Sequence, residues 1–259
     1  EIPGIYMHTG SLNTNRITIR GMGSRSPYST NKIKSYINNI PLSNGVGETT
    51  IEDLGINLFN QIEIIKGPNS SIYGAGLGGG ILLNLEKSKE HSLSYSSFFG
   101  SYNTTKNEIN LYKKINKVDF QINFQNLSSD GYRDNNNYIR NNAFGYLGYS
   151  LNDKIKLDFI YNFINLDSEI PSSLNIDDFN LNPSKAAENW KNVNGNENYK
   201  KNLSAISFDF NSSNYNLIAN IFHNGYRSDE KRPFNFLKET SNGFGSRVVN
   251  TITKVNQKF

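Results

Sequence analysis

The sequence predicts a mixed fold in two parts. A small α/β domain spans residues 1–87, and antiparallel strands of a transmembrane β-barrel span residues 88–259. Three observations predict it. The stretch Gln61–Leu85 wraps two apolar runs around a dense glycine cluster. From Ser88 the texture changes to runs of about ten residues that alternate apolar and polar, the pattern of a membrane β-strand. Mean hydropathy is −0.58, and no apolar run approaches the ~18 residues that a membrane helix needs.

The bulk properties bound the rest. A chain of 259 residues allows one or two domains. The net charge of +4 and pI near 9.0 suit a solvated surface or an acidic ligand. There is no cysteine, so disulfides and thiolate metal sites are excluded. No signal peptide is visible, and Glu1-Ile2-Pro3-Gly4-Ile5 starts mid-pattern, as expected of a processed or cut N-terminus.

In the first part, Ile2–His8 reads as a short strand or helix end. Thr9–Asn15 reads as a polar loop, Arg16–Gly21 as a strand and Gly23–Asn31 as a second polar loop. Ile33–Ile40 is a further strand and Leu42–Thr50 a third loop. Ile51, Leu54 and Leu58 fall near helical spacing, with Glu52 and Asp53 in the first turn, where acidic groups suit the helix dipole. Ile62, Ile64 and Ile65 then open a strand. A turn follows at Gly67-Pro68, then Ser70-Ser71-Ile72-Tyr73-Gly74, then Gly76, Gly78, Gly79 and Gly80. Ile81-Leu82-Leu83 closes on a second strand. Glycines this dense mean that backbone passes close to backbone or takes positive φ.

In the second part eight runs read as strands: Leu93–Gly100, Lys106–Ile115, Val118–Gln125, Ala143–Leu151, Ile155–Phe163, Leu203–Phe210, Tyr215–His223 and Phe244–Val255. Turns at Asn116-Lys117, Asn152–Lys154 and Ser212–Asn214 are tight. Connections over Ser128–Asn141, Leu166–Asn202 and Asn224–Gly243 are long, the asymmetry of an outer-membrane barrel. Phe98, Phe99, Tyr102, Tyr146, Tyr149 and Tyr226 sit near strand ends, as interfacial girdles would. A soluble β-sandwich would show the same alternation but would bury its apolar side. Barrels of about eight strands are filled by their own side chains, whereas those of about 22 hold a plug. An eight-strand sheet also leaves two edges, which lipid does not tolerate. The expectation is therefore part of a larger barrel, and residues 88–259 alone would not close.

Three blocks carry a family resemblance. Ile62-Glu63-Ile64-Ile65-Lys66-Gly67-Pro68, Ile72-Tyr73-Gly74 and Gly79-Gly80-Ile81 resemble the end of the plug domain of TonB-dependent outer-membrane receptors. Ile17–Gly23 is similar to that family's Ile-Arg-Gly segment. Lys34–Leu42 is similar to its Tyr-Ile-Asp-Gly-Ile-Pro segment, with Asn38-Asn39 in place of Asp-Gly. Asn84 falls late for the family asparagine. The resemblance covers residues 1–87 and implies a plug inside a 22-stranded barrel, of which residues 88–259 would be roughly the first third, with Gly21, Glu63, Gly67, Pro68, Tyr73, Gly74 and Gly79 as plug motif residues.

It also implies that the three polar loops are apical and touch ligand, through Thr9, Gly10, Ser11 and Asn13, then Ser24, Arg25 and Tyr28, then Ser43, Asn44 and Glu48. Loops of hydroxyls and amides with one arginine suit an oxygen-rich anionic ligand. Arg20 and Lys66 stand where the family places basic residues that anchor plug to barrel by pairing with barrel glutamates. Lys66 departs from the commoner arginine and loses its bidentate fork.

No enzyme constellation stands beside this. His8, His91 and His223 are isolated from other ligand types. Ser70-Ser71 lacks a G-x-S-x-G frame, and Gly76–Gly80 lacks the Lys-Ser/Thr of a phosphate loop. Glu169, Asp177 and Asp178 lack a calcium-loop register. Trp190 and Tyr199 in the long loop are candidate ligand-closing contacts. No cofactor or metal is expected.

The resemblance implies a monomeric receptor in the cell outer membrane, driven by the TonB–ExbB–ExbD complex. Asn13–Gly21 followed by Ser24–Pro27 is similar to ferric-chelate receptors, the ferric-citrate type in particular. A ferric siderophore or ferric citrate is the expected ligand. Cobalamin, heme or an oligosaccharide is the alternative within transport, and a signalling receptor or adhesin the alternative outside it.

Overall fold

The computed structural model describes residues 2–12, 14–25, 30–43, 47, 49, 54–74, 76–85 and 91–253. In the N-terminal part, β1 (Ile5–Ser11) and β2 (Thr14–Ile19) form an antiparallel hairpin. Thr9–Ser11 thus lie in a strand, not in the polar loop expected there, because ladder bonds do not depend on side-chain polarity. A four-stranded sheet holds β3 (Ile33–Ile37), β4 (Ile40–Pro41), β5 (Phe59–Lys66) and β6 (Gly79–Leu85) in the order β4-β3-β6-β5. β3 and β6 are parallel and the other pairs antiparallel.

The strand expected over Ile33–Ile40 is broken at Asn38-Asn39, whose φ angles are 44° and 70°. Two successive left-handed residues make a tight hairpin reversal, and asparagine tolerates that region. The Asn38 side chain also accepts from Leu85 N at 3.1 Å, which ties the turn to β6. Of the helix expected over Ile51–Phe59, the described residues form one 3₁₀ turn at Ile56–Leu58, and residues 51–53, with its acidic start, lie outside the described residues. A short helix, α1 (Ser70–Tyr73), fills the crossover between β5 and β6.

The C-terminal part is an eight-stranded antiparallel meander in sequence order. Its strands are β7 (Ser92–Gly100), β8 (Thr104–Ile115), β9 (Val118–Ser129), β10 (Tyr138–Ser150), β11 (Ile155–Glu169), β12 (Asn196–Ser212), β13 (Tyr215–Lys231) and β14 (Phe236–Ile252). The sheet is open, with β7 and β14 as its edges. The long connection expected over Asn224–Gly243 is absent, because β13 and β14 stay paired up to Lys231 and Phe236. Residues such as Arg227, Ser228, Asp229 and Glu230 are polar on both faces, so the alternation fades while the backbone ladder continues. The real long loop is 170–195, with α2 (Ile176–Leu181) and α3 (Glu188–Asn192). Tyr199, expected in that loop, lies on β12.

The faces of this sheet are inverted relative to a soluble protein. On β9, Asp119, Gln121, Asn123 and Gln125 are 5%, 0%, 0% and 4% exposed, whereas Ile122 and Phe124 are 40% and 56% exposed. A sandwich would bury the apolar set, so that alternative fails; a barrel wall in lipid has polar residues inside and apolar residues outside. No helix among the described residues is long and apolar enough to cross a membrane. Phe98, Phe99, Tyr102 and Tyr149 are exposed, as girdle residues would be. Tyr146 and Tyr226 are not girdle residues. Tyr146 is buried on the polar face and donates to Asp158 at 2.8 Å, and the Tyr226 ring lies 5.9 Å from that of Tyr199. One apolar cluster joins the two parts: Ile19, Ile37, Ile40, Leu58 and Leu83 with Phe144, Ile160 and Leu203.

Candidate functional site

The polar face of the sheet is the surface on which the N-terminal part sits, and its chemistry begins on β8. Glu108 faces Gln125 across the β8–β9 ladder. Its carboxylate accepts from Asn123 Nδ2 at 3.0 Å and Gln125 Nε2 at 3.4 Å. It also accepts from Asn57 Nδ2 in the 3₁₀ turn, at 3.1 Å. Arg140 Nη2 on β10 donates to Gln125 Oε1 at 3.2 Å. Gly55 brings backbone against this ladder, since a Cβ there would lie 3.0 Å from Glu108 Oε1. A buried carboxylate survives because donors surround it. Glu108→Leu is expected to cost about 3 kcal/mol by orphaning those amides. Thermal unfolding of the complete protein checks it, with Glu108→Gln recovering part of the loss.

A second set of contacts comes from β13 and β14. Asn220 Nδ2 donates to Asn39 O at 3.4 Å, and Asn224 Nδ2 to Ser43 O at 3.3 Å. The Arg247 guanidinium lies over the rings of Tyr36 and Tyr73. None of Asn57, Glu108, Asn220, Asn224 or Arg247 stands out in the sequence. Each is an ordinary polar residue on an alternating strand or short turn, and only the docking of the two parts selects it.

The expected ligand residues are only partly brought together. Asn13, Tyr28, Asn44 and Glu48 lie outside the described residues. Thr9, Gly10 and Ser11 end β1. Ser24 and Arg25 are exposed in the second loop, which Arg16 holds by donating from Nη1 to Ser24 O at 3.1 Å. Ser43 sits at the wall beside Asn224, its hydroxyl 3.4 Å from that of Thr49. Lys34, unmarked in the sequence, fixes the third loop through a 2.6 Å bond to Gly47 O. Burial there pushes its ammonium below the ordinary lysine pKa.

The expected anchors lie apart from these wall contacts. Arg20 is exposed, and its backbone N donates to Gly4 O at 2.7 Å. Lys66 Nζ donates to Pro3 O at 2.7 Å. Among the described residues neither forms an ion pair. Of the motif residues, Gly21, Gly67, Gly74 and Gly79 take positive φ. Glu63 is exposed on β5 and Pro68 beside the turn that follows it, while Tyr73 closes α1 on the ring of Tyr36 at 5.5 Å.

At the opposite end from the tight turns, loop 170–195 is docked on loop 130–137. Arg133 donates to the carbonyls of Lys185 at 2.8 Å and 3.0 Å, Pro171 at 3.4 Å, and Ser172. Asn135 bonds Ile170 O and Gly195 O, each at 2.9 Å. Glu169 serves Asn137, and Asp178 serves Asn175 and Lys185. The Lys185 bond holds the Asp178 carboxyl below its usual pKa. The exposed groove beside them is lined by Ser173, Asn175, Asp178 and Glu188, and Trp190 lies on α3. Arg133→Ala is expected to raise protease cleavage within 172–187 at least ~10-fold, since hydrogen bonds from a charged donor are worth more than neutral ones. Unchanged cleavage would show that the loop is held otherwise.

Known proteins match this arrangement. Residues 1–81 match the family described as the TonB-dependent Receptor Plug Domain. Over 98% of the chain, the fold is similar to the ferric yersiniabactin uptake receptor FyuA from Yersinia pestis, with a TM-score of 0.78 and 12% identity. The ferric citrate transporter FecA matches over 89% at TM-score 0.73 and 13% identity. The siderophore receptor PiuA from Acinetobacter baumannii matches over 97% at TM-score 0.70 and 17% identity. The chain spans 42%, 37% and 39% of the lengths of these three chains. Residues 1–81 thus match a TonB-dependent receptor plug domain, and the sheet that follows has the fold of part of a barrel wall.

Proposed function

We propose that residues 1–87 are the plug and 88–259 the N-terminal part of the barrel of a receptor in the cell outer membrane, which takes up a ferric chelate, either a siderophore or ferric citrate. The observation that carries it is the seating of the plug on the polar inner face of a sheet whose outer face is apolar. The similar folds named for ferric yersiniabactin and ferric citrate support the ligand class. In this reading the apical residues Thr9, Gly10, Ser11, Asn13, Ser24, Arg25, Tyr28, Ser43, Asn44 and Glu48 meet the chelate. Arg20 and Lys66 anchor the plug through glutamates elsewhere in the barrel. Energy comes from TonB–ExbB–ExbD acting on a monomeric receptor, because work must be delivered to an outer membrane that holds no ATP.

The test is ligand quenching of intrinsic fluorescence in the complete receptor, with ferric citrate, ferric siderophores, cobalamin and heme. Sub-micromolar quenching by one ferric chelate, weakened by Arg25→Ala, is the expected result. Binding of cobalamin or heme instead would keep the transporter and replace the substrate. Silence toward all four would turn the function to glycans, signalling or adhesion.

A further inference from the structure

We propose that Arg247 is a wall-side latch of the plug, holding it through cation–π contact with Tyr36 and Tyr73. This rests on the reading of the chain as a receptor whose plug shifts during uptake. Arg247 is on β14, directly across the ladder from Asn220, which also bonds the plug. Its guanidinium carbon lies 4.9 Å from the Tyr36 ring centre and 5.7 Å from that of Tyr73, both within the ~6 Å reach of a cation–π contact. Tyr36 is 5% exposed, and its hydroxyl donates to Tyr73 O at 2.8 Å. The two rings therefore form one unit bridging β3 and α1.

The guanidinium needs those rings. Its Nε and one Nη are enclosed and make no hydrogen bond among the described residues. An enclosed cation without such bonds is costly unless something else faces it, and here two electron-rich ring faces do. Asn220 and Asn224 bind only backbone carbonyls of the plug, bonds that any plug sequence could supply. Arg247 instead reads side chains, and both belong to segments that match plug motifs. Arginine suits this better than lysine because its flat guanidinium stacks on aromatic faces. Movement of the plug past β14 must part Arg247 from both rings, so the contact sets part of the work of opening.

The test is hydrogen–deuterium exchange of the complete receptor over residues 33–43 and 70–73, in Arg247→Gln, Tyr73→Leu and the double variant. Arg247→Gln is expected to raise exchange there roughly tenfold, the order of a desolvated cation–π contact, with Arg247→Lys between it and the parent. Because the residues act as one contact, the double variant should exchange no faster than the faster single variant. Unchanged exchange in Arg247→Gln, or effects that multiply in the double variant, would overturn the latch. If Arg247→Gln does not assemble, Tyr73→Leu carries the test: faster exchange over 33–37 supports the latch and unchanged exchange overturns it. Chelate uptake measured in parallel separates the two readings. Intact uptake with unchanged exchange removes only the latch, and absent uptake with coupled exchange removes only the assigned substrate.

Discussion

If the exposed apolar face of β9 meets lipid, as proposed, an arginine in place of Phe124 is expected to destabilise the membrane-inserted protein by about 2–4 kcal/mol, the cost of a cation on a lipid-facing strand. Phe124 is 56% exposed, and an exposed position on a water-facing sheet would absorb the change within about 0.5 kcal/mol. Its neighbours Asn123 and Gln125 are buried against the plug side. A shift of one residue along the strand thus changes the solvent, because side chains alternate faces. Folding titrations of the complete receptor into bilayers check the value. A loss below about 0.5 kcal/mol would mean that Phe124 does not meet lipid.

Gly79→Ala is expected to abolish the plug fold locally, with a cost of about 4 kcal/mol or more, in the range reserved for backbone strain and severe clashes. Gly79 opens β6 at φ +122°, and a Cβ there would lie 1.9 Å from Ile65 O. That oxygen belongs to β5, so relief requires parting β5 from β6, the pair that seats Lys66 opposite Gly79. Gly80, by contrast, has its nearest neighbour at 3.6 Å, and Gly80→Ala should cost far less. Proteolysis of the plug in the two variants separates them. Equal resistance in both would refute the close approach.

Much of the fold is legible in the amino-acid order, for physical reasons that differ by element. The alternating strands can be read because a buried polar face and an exposed apolar face impose period two on β8–β12. The upper end of β13 cannot, because Arg227, Ser228, Asp229 and Glu230 are polar on both faces while its ladder continues. Gly79 declares itself through glycine density, since close backbone approach has a composition. Asn38-Asn39 shows its turn chemistry, but its isoleucine-rich flanks suggest an unbroken strand. Within the described residues 54–59 the expected helix is a single 3₁₀ turn, because apolar spacing around one turn also fits a 3₁₀ turn packed on a wall. The wall contacts stay hidden for another reason. Glu108 and Arg247 are recognisable only once Asn57, Tyr36 and Tyr73 are set against them.

The measurement that tests the central claim most directly is oxygen accessibility of spin labels placed singly along β9 of the complete receptor in bilayers. The chain has no cysteine, so within it each introduced cysteine labels one position. Maxima are expected at Val118, Phe120, Ile122 and Phe124, and minima at Asp119, Gln121, Asn123 and Gln125. The reverse phase, or no period of two, would contradict a polar wall turned toward the plug and an apolar wall turned toward lipid.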